Sequence, residues 1–213
     1  VQDPNKTNAK PVLRSINKSR GIEFTWSVWI FIDNLDENSD QYKHIFHKGN
    51  DKMNYPNTPI GLNEPNNGPG LYITPNKNDL LVIMNTFEKI DEKINVQDIP
   101  LNKWVNIIIR CEDKTVDVYI NGRIATRHKA SGVPFQNYGD VYVALNGGFP
   151  GYISNLWYWN KALNTSEIQS LVSSGPNMSM ADNSNLKHSS PQYLSLRWFF
   201  SNNELNKSDY GGL

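Results

Sequence analysis

Short runs in which apolar and polar residues alternate fill the middle of the chain and predict β-strands. The clearest run begins at Gly21 and reads GIEFTWSVWIFID. Its alternation places one set of side chains on a single face of the strand: Phe24, Trp26, Val28, Ile30 and Ile32. The other face carries Thr25, Ser27, Trp29, Phe31 and Asp33. Because that face is only partly polar, we expect it to be covered as well.

Further strand-like runs follow, separated by Gly, Pro and Asn: YKHIFHKG, GLYITP, DLLVIMNTF, KWVNIIIRCED, TVDVYINGRIATRHK, DVYVALN and GYISNLWYWN. GLYITP and DLLVIMNTF are joined by NKN and predict a hairpin. Asn121-Gly122 predicts a type I′ turn, which needs positive φ at both positions. In the last run, apolar residues stand at both odd and even positions, and so on both faces of the strand. Either both faces of that strand are covered, or a bulge near Ser154 and Asn155 shifts its register.

One helix is predicted late in the chain, in NTSEIQSLVSS. Asn164 can cap it, with Glu167 completing a capping box, and Gly175-Pro176 ends it. Many short strands with one short C-terminal helix predict an all-β protein, a two-sheet antiparallel jelly-roll sandwich. The expected boundaries are a flexible tail at 1–10, the sandwich at 11–176, and a polar extension at 177–213 with a candidate extra strand at 193–200.

Composition removes several classes of function. Lys+Arg and Asp+Glu are equal at 21 each, so nothing favours nucleic acid as a partner. The apolar runs are too short to cross a bilayer, and we expect no membrane insertion in this segment. Cys111 is the only cysteine, which excludes an intrachain disulfide, and we expect it to be buried and inert. The chain begins at Val1, as expected of a segment excised from a larger protein.

The histidines and the acids of EKIDEK are further candidates for metal binding or catalysis. His44 and His47 are three apart in a strand, so we expect them to point to opposite faces and not to share a metal. The acids of EKIDEK, residues 88–93, are expected to be solvated, and His128 has no evident partner. The irregular stretch 50–69 is long for a loop in a compact domain. We therefore expect it to have a function or to pack as a unit of its own.

The order of the motifs resembles the laminin-G-like/concanavalin A-like domains. The resemblance runs from about Gly21 to Gly175 through FTWSVWI, IFHKG, GLYI, LNKWVNIIIR, VDVYINGRI and GYISNLWYWNKALNTSEI. More narrowly, the sequence is similar to concanavalin A-like proteins encoded by large DNA viruses of algae and protists. The resemblance implies a concanavalin A-like jelly roll. Members of this group include lectins, adhesion modules, glycan-cleaving enzymes and structural domains, so the fold does not fix the function.

The resemblance also sets expectations for catalysis and for metal binding. Retaining glucanases of the group carry two Glu and one Asp alternating on one strand, and no such string occurs here. We therefore expect no catalytic residues and no required cofactor. Many relatives hold a calcium ion, often with an Asp where this chain has Asn155. The missing charge weakens a structural calcium site, for which Asp51 and Asp140 are the alternative oxygen donors.

Sugar binding needs an aromatic face for stacking and amides or carboxylates for the hydroxyl groups. The loops supply the candidate glycan-binding residues: Tyr55, Asn66, Asn137, Tyr138, Asn146 and Phe149, with Asn67 beside them. Each of these residues can also be interpreted as an ordinary residue of a turn or of the rim of the sandwich. The tryptophans lie mostly in strands. We expect Trp104 in the core, and Trp157 and Trp159 to be poor ligand contacts.

The sequence thus predicts a non-catalytic, lectin-like carbohydrate-binding or adhesion module of a larger extracellular or virion-surface protein. Its partner would be a glycan or glycoprotein. The main alternative is a structural or protein–protein interaction sandwich, such as a virion component that binds other virion or surface proteins and has no glycan site. An unusual glycan-active enzyme ranks third.

Overall fold

The predicted strands and helix are present in residues 11–179, the part of the chain that the computed structural model describes. The strands are β1 (Ile16–Lys18), β2 (Gly21–Ile32), β3 (Lys43–Gly49), β4 (Asn67–Ile73), β5 (Leu80–Met84), β6 (Glu92–Val96), β7 (Trp104–Asp113), β8 (Thr115–Ile120), β9 (Arg123–Lys129), β10 (Asp140–Val143) and β11 (Gly151–Trp159). Helix α1 spans Thr165–Ser173, and Leu145–Gly147 form one 3₁₀ turn. These elements belong to one compact unit that ends at Asn177. The predicted tail 1–10 and strand 193–200 lie outside the described residues.

Two antiparallel sheets confirm the jelly-roll sandwich. Sheet A has the strand order β1-β2-β7-β8-β9, and β11 also pairs with β2. Sheet B has the order β10-β3-β4-β5-β6. The longest pairing joins β2 to β7, from Ile22 opposite Asp113 to Phe31 opposite Trp104. The hairpin of β4 and β5 is present as predicted, with Leu71 opposite Val82.

The alternation in β2 builds the core between the sheets. Its predicted inward face is buried, with Val28 and Ile30 fully inaccessible to solvent. These side chains join Phe46 of β3, Leu71 of β4 and Ile107 of β7 in one apolar cluster. Each large apolar side chain buried this way contributes about 1.5–3 kcal/mol. Cys111 belongs to the same cluster, as predicted, and burial raises the pKa of its thiol.

The segment that leads into α1 covers the outer face of β2 at Thr25. Thr25 Oγ1 donates a hydrogen bond to the carbonyl of Lys161 at 2.9 Å and accepts one from the amide of Leu163 at 3.0 Å. The predicted capping box of Asn164 and Glu167 is present. A small second apolar cluster then attaches the helix to the outside of sheet A: Ile108, Tyr119, Leu163 and Ile168.

The long segment between β3 and β4 covers the outside of sheet B. Leu62 packs there against Tyr72, Leu81 and Ile83, with Met53 beside them. The segment is therefore anchored to sheet B through the buried side chain of Leu62.

Three local predictions can be compared directly with the backbone. Asn121 and Gly122 both have positive φ, 50° and 78°, as a type I′ turn requires. The bulge in β11 is present as well, because the register shifts between Ser154 and Trp157, and Asn155 has a φ of 49°. The prediction for Trp104 is wrong. Its side chain is half-buried and packs edge-on against Phe31, since it begins its strand at the margin of the core.

Candidate functional site

A cleft of about 460 Å³ opens at one end of sheet B. Its walls come from the residues that follow β3 and β5 and from those that precede β4, β6 and β10, so the ends of neighbouring antiparallel strands bring them together. The lining residues are Asn50, Pro65, Asn66, Asn85, Ile90, Phe135, Gln136, Asn137, Tyr138 and Gly139. Five of these ten carry a side-chain amide and none is Lys, Arg, His, Asp or Glu. The cleft is thus polar but uncharged.

The rim of the cleft is aromatic and exposed. Tyr138 is 77% exposed, and Ile90 and Phe135 are exposed as well. The ring of Phe135 lies against that of Phe87, with 3.9 Å between centroids. The guanidinium of Arg14 lies 5.9 Å from the centre of the Tyr138 ring. Grouped exposed apolar side chains of this kind commonly mark a binding surface.

Hydrogen bonds hold the amides of the cleft in place. The backbone amide of Gly139 donates to Asn137 Oδ1 at 2.7 Å, and Asn137 Nδ2 donates to Asn66 Oδ1 at 2.7 Å. Asn85 Nδ2 donates to the carbonyls of Pro65, at 2.5 Å, and of Ile90. The walls are therefore positioned before any ligand arrives, which lowers the entropic cost of binding.

A buried polar layer supports these walls from below. Tyr72 Oη donates to Asn67 Oδ1 at 2.6 Å and accepts from the amide of Asn63 at 3.3 Å. Asn67 in turn donates from its side chain to the carbonyl of Asn63 and from its backbone to Asn85 Oδ1. Tyr72, Asn63 and Asn67 are fully buried. Burial raises the pKa of Tyr72, so its hydroxyl remains a donor at neutral pH.

The two strand histidines belong to the same support, and our expectation that they face apart is wrong. β3 has a bulge, because His44 pairs with Tyr72 while Phe46 pairs with Leu71, and the extra residue puts His44 and His47 on one face. The amide of Leu145 donates to His44 Nδ1 at 2.9 Å. Since that amide can only donate, His44 Nε2 carries the proton and donates to His47 Nδ1 at 2.7 Å.

The histidine chain ends at the cleft. His47 Nε2 donates to the carbonyl of Asn50 at 2.6 Å, and the His47 ring stacks on Tyr142 at 5.2 Å. Burial, and to a smaller extent the nearby His47, lower the pKa of His44 to about 3; burial also lowers the pKa of His47. Both rings are therefore neutral at physiological pH. Their role is to fix Asn50 rather than to transfer protons.

Glu92 and His128 also differ from the expectation. Glu92 is buried, not solvated, and its Oε1 lies 2.7 Å from His128 Nε2. Ser131 Oγ donates to Glu92 Oε2 at 2.6 Å. Burial raises the pKa of Glu92, but the bonds from Ser131 and His128 outweigh it and leave the pKa lowered. Because Ser131 contacts the acid and not the histidine, the three residues tie β6 to β9 and do not form a nucleophile–base pair.

The predicted glycan-binding residues separate into two groups. Asn66, Asn137 and Tyr138 lie together in the cleft. The other three do not line it: Tyr55, Asn146 and Phe149. Tyr55 is 70% exposed on the long segment over sheet B, and Asn146 is exposed beyond the far end of β10.

The prediction that Phe149 is an exposed loop residue able to contact a glycan is wrong. Its side chain is only 9% exposed and belongs to the main core cluster. The φ of 63° at Gly148 and of 151° at Gly151 let the chain turn on either side of it, which directs the ring inward. The ring is therefore not available to stack on a ligand.

The sequence predicted three of the ten lining residues of the cleft and missed the other seven. Phe135 and Gln136 stand directly before the chosen Asn137 and Tyr138 in FQNYGD, so the mixture of aromatic and amide residues in that loop was the available signal. Asn50, Asn85 and Ile90 left no such signal, because each is an ordinary turn residue until the strand order brings the three loops together.

The three candidate calcium ligands are Asp51, Asp140 and Asn155. Asp51 and Asp140 are exposed. Asn155 sits at the bulge of β11, and its amide donates to the carbonyl of Gly175 at 3.2 Å. Within residues 11–179, no three His, Cys, Asp or Glu side chains are grouped as metal ligands would be. Among the same residues, no helix has the length and apolarity needed to cross a membrane.

The outer face of β11 is a second exposed aromatic surface. Trp157 is 49% and Tyr152 is 42% exposed. Trp157 lies 5.7 Å from Trp159, and Tyr152 lies 6.1 Å from Phe31, between ring centroids.

Comparison with known proteins identifies relatives of the fold. The profile of the concanavalin A-like lectin/glucanases superfamily matches residues 6–169. No curated protein matches the sequence. Among solved structures, the ligand-binding domain of botulinum neurotoxin serotype D in complex with N-acetylneuraminic acid is similar, with a TM-score of 0.57 at 15% identity over 80% of this chain. The receptor-binding domain of the C/D mosaic serotype gives 0.55 at 14% identity over 72%. This chain spans 38% and 36% of those two chains, so the likeness concerns the fold of one part of them.

Proposed function

The chain belongs to the concanavalin A-like lectin/glucanase superfamily, and from that premise we propose that it is a non-catalytic carbohydrate-binding module. The observation that carries the proposal is the uncharged cleft at the end of sheet B, which combines five amide side chains with an exposed tyrosine. We place the module in a larger extracellular or virion-surface protein, where its partner is a glycan or glycoprotein.

The composition of the cleft suits a sugar. The C–H face of a pyranose packs on an aromatic ring, and its hydroxyl groups need several short polar side chains held in fixed positions. Tyr138 offers the ring, while Asn66 and Asn137 offer amides fixed by their mutual hydrogen bond. The volume of about 460 Å³ lies within the range of small-molecule sites. One serotype D neurotoxin structure, whose fold is similar, was solved with N-acetylneuraminic acid.

The same lining supports a binding rather than a catalytic role. Glycoside hydrolysis by the retaining route needs two carboxyl groups about 5 Å apart beside the scissile bond. The ten residues that line the cleft include no Asp or Glu. The buried Glu92 is engaged by Ser131 and His128.

Replacing Tyr138 by alanine is expected to lower the affinity for the bound glycan about tenfold or more, because the sugar loses its stacking face. A glycan array with the purified chain identifies the ligand, and titration calorimetry then compares the variant with the wild type. Tyr55→Ala is the matched control, since Tyr55 is also a largely exposed tyrosine but does not line the cleft. Absence of binding to every glycan would reject the proposal, and an equal loss in both variants would place the site elsewhere.

Glycan binding is expected to persist unchanged when calcium is removed by a chelator. The support for this is local: Asn155, at the position where relatives often carry an acid, uses its amide to hold the carbonyl of Gly175. Titrations in calcium and in chelator, with the same glycan, measure the difference. A clear loss of affinity in chelator would show that a metal takes part, and Asp51 and Asp140 would then be the residues to replace.

A second candidate function is favoured by the exposed face of β11. Tyr152 and Trp157 present an exposed aromatic surface that suits a protein partner, such as another virion or surface protein. A module of this kind binds no glycan, so the array separates it from the first proposal.

A further inference from the structure

The orientation of the cleft amides determines which of their atoms remain free for a ligand. The backbone amide of Gly139 can only donate, so Asn137 must present Oδ1 to it. Asn137 Nδ2 therefore faces Asn66 and donates to Asn66 Oδ1. As a result Asn66 turns its Nδ2 group away from Asn137, and within the described chain that group has no acceptor.

Asn50 is fixed in the same sense. Its Oδ1 accepts from the amide of Lys52 at 3.2 Å and from Asn63 Nδ2 at 2.9 Å, and its carbonyl is already bound by His47. Its Nδ2 group is thus left without a partner among residues 11–179. Asn85, in contrast, uses both ends of its amide within the protein. Gln136, which also lines the cleft, has a buried Oε1 with no hydrogen-bond partner in the described chain. The free side-chain groups of Asn50 and Asn66 are N–H donors.

These donors are neutral and lie beside apolar surface. Pro65, Ile90 and Phe135 line the same cleft as Asn66 and Asn50. A carboxylate could accept from the amides, but it would lose its hydration without a cation in the lining to replace it. Arg14 lies near the ring of Tyr138 but is not a lining residue. A ligand group that is a strong neutral acceptor with a small apolar end fits this surface best.

The acetamido group of an N-acetylated sugar has this chemistry. Its carbonyl accepts hydrogen bonds from amide donors, and its methyl group packs on aliphatic or aromatic side chains. A hydroxyl in the same position offers a weaker acceptor and no methyl. We infer that the cleft selects uncharged N-acetylated hexoses, with the acetamido group bound by the free donors of Asn66 and Asn50. The inference rests on the proposed carbohydrate-binding function.

Competition for the strongest array ligand tests this selectivity. The competitors are N-acetylglucosamine against glucose, and N-acetylgalactosamine against galactose, pairs in which only the acetamido group differs. N-acetylneuraminic acid carries the acetamido group together with a carboxylate and so isolates the effect of charge. We expect at least one N-acetylhexose to compete about tenfold better than its parent hexose and better than N-acetylneuraminic acid.

The variant Asn66→Asp tests the assignment to a residue. An aspartate in this place still accepts the hydrogen bond from Asn137 Nδ2, so the wall is retained, but the free donor becomes an oxygen. We expect the advantage of the N-acetylhexose to fall about tenfold while competition by the parent hexose changes little. Asn146→Asp is the matched control, because it makes the same change at an exposed asparagine beyond the far end of β10. If Asn66→Asp does not fold, Asn50→Asp makes the equivalent change and keeps the bonds to Lys52 and Asn63.

The outcomes separate the inference from the function on which it rests. Equal competition within both hexose pairs would overturn the inference and leave carbohydrate binding intact. Tighter binding of N-acetylneuraminic acid would overturn it too, as would an unchanged selectivity in Asn66→Asp when Tyr138→Ala abolishes binding. If no glycan binds at all, the proposed function fails and the inference fails with it.

Discussion

Lowering the pH from 7 to 5 is expected to cost the sandwich about 2 kcal/mol in its free energy of unfolding, because His44 cannot be protonated in the folded state. Burial lowers the pKa of His44 from 6.5 to about 3. Both of its ring nitrogens are engaged: Nδ1 accepts from Leu145 and Nε2 donates to His47. A proton on Nδ1 would therefore place two donors face to face.

The sign of this pH effect follows from the protonation of His44 in the folded and in the unfolded chain. The unfolded chain takes up a proton near pH 6.5, whereas the folded chain resists it down to about pH 3. The stabilisation is thus complete above pH 6.5 and is lost progressively as the pH falls toward 3. The pKa of His47 is lowered by burial as well, which adds to the loss in the same direction.

Urea denaturation at several pH values between 7 and 5 measures the loss. His44→Gln should flatten the pH dependence of the free energy of unfolding, because it removes the buried imidazole that resists protonation. Nuclear magnetic resonance gives an independent check that does not need a variant. His44 should remain neutral, with the proton on Nε2, at pH 5. Stability that does not change over this range would contradict the assignment.

Tyr72→Phe is expected to lower the free energy of unfolding by about 2–4 kcal/mol, since it leaves two buried groups without partners. The lost hydroxyl donates to Asn67 Oδ1 and accepts from the amide of Asn63, and all three residues are fully buried. Tyr119→Phe is the matched control, because the hydroxyl of that buried tyrosine has no hydrogen-bond partner in the described chain. The control should change the stability by less than about 0.5 kcal/mol.

The same variant should weaken glycan binding even where the chain remains folded. Asn67 lies next to the cleft residue Asn66 and holds Asn85 through its backbone amide, so loosening Asn67 loosens two walls of the cleft. Titration at a temperature well below the unfolding transition separates this effect from unfolding. A full loss of stability with unchanged affinity would mean that the cleft does not depend on the buried layer beneath it.

The sequence predicted the sandwich because its strands obey local rules. The alternation in β2, the positive φ of Asn121 and Gly122, and the capping box of Asn164 are each determined by neighbours within a few residues. The bulge at Asn155 was one of two predicted alternatives, because apolar residues on both faces of a strand also fit a strand that is covered on both sides. Features that depend on a few adjacent residues can be read from one sequence.

The site was predicted only in part, because it depends on contacts between distant segments. The pairing of Glu92 with His128 spans two sheets, and nothing in either local sequence indicates it. The bulge in β3 reversed the expected facing of His44 and His47, although no glycine or proline stands between the two histidines to mark it. Tyr138 was found because it stands in a loop rich in polar residues, whereas Phe149 stands in a similar loop and is buried.

The bulge in β11 also bears on how copies of this protein behave at high concentration. Within the described chain, β11 pairs with β2 along one side and has no strand on its other side, and it carries the exposed rings of Tyr152 and Trp157. A strand of that kind invites a neighbouring molecule to extend the sheet and begin aggregation. The shift between Ser154 and Trp157 divides it into two short pieces, Gly151 to Ser154 and Trp157 to Trp159. Neither piece offers the long flat ladder on which such growth depends, so the irregularity protects the solubility of the fold.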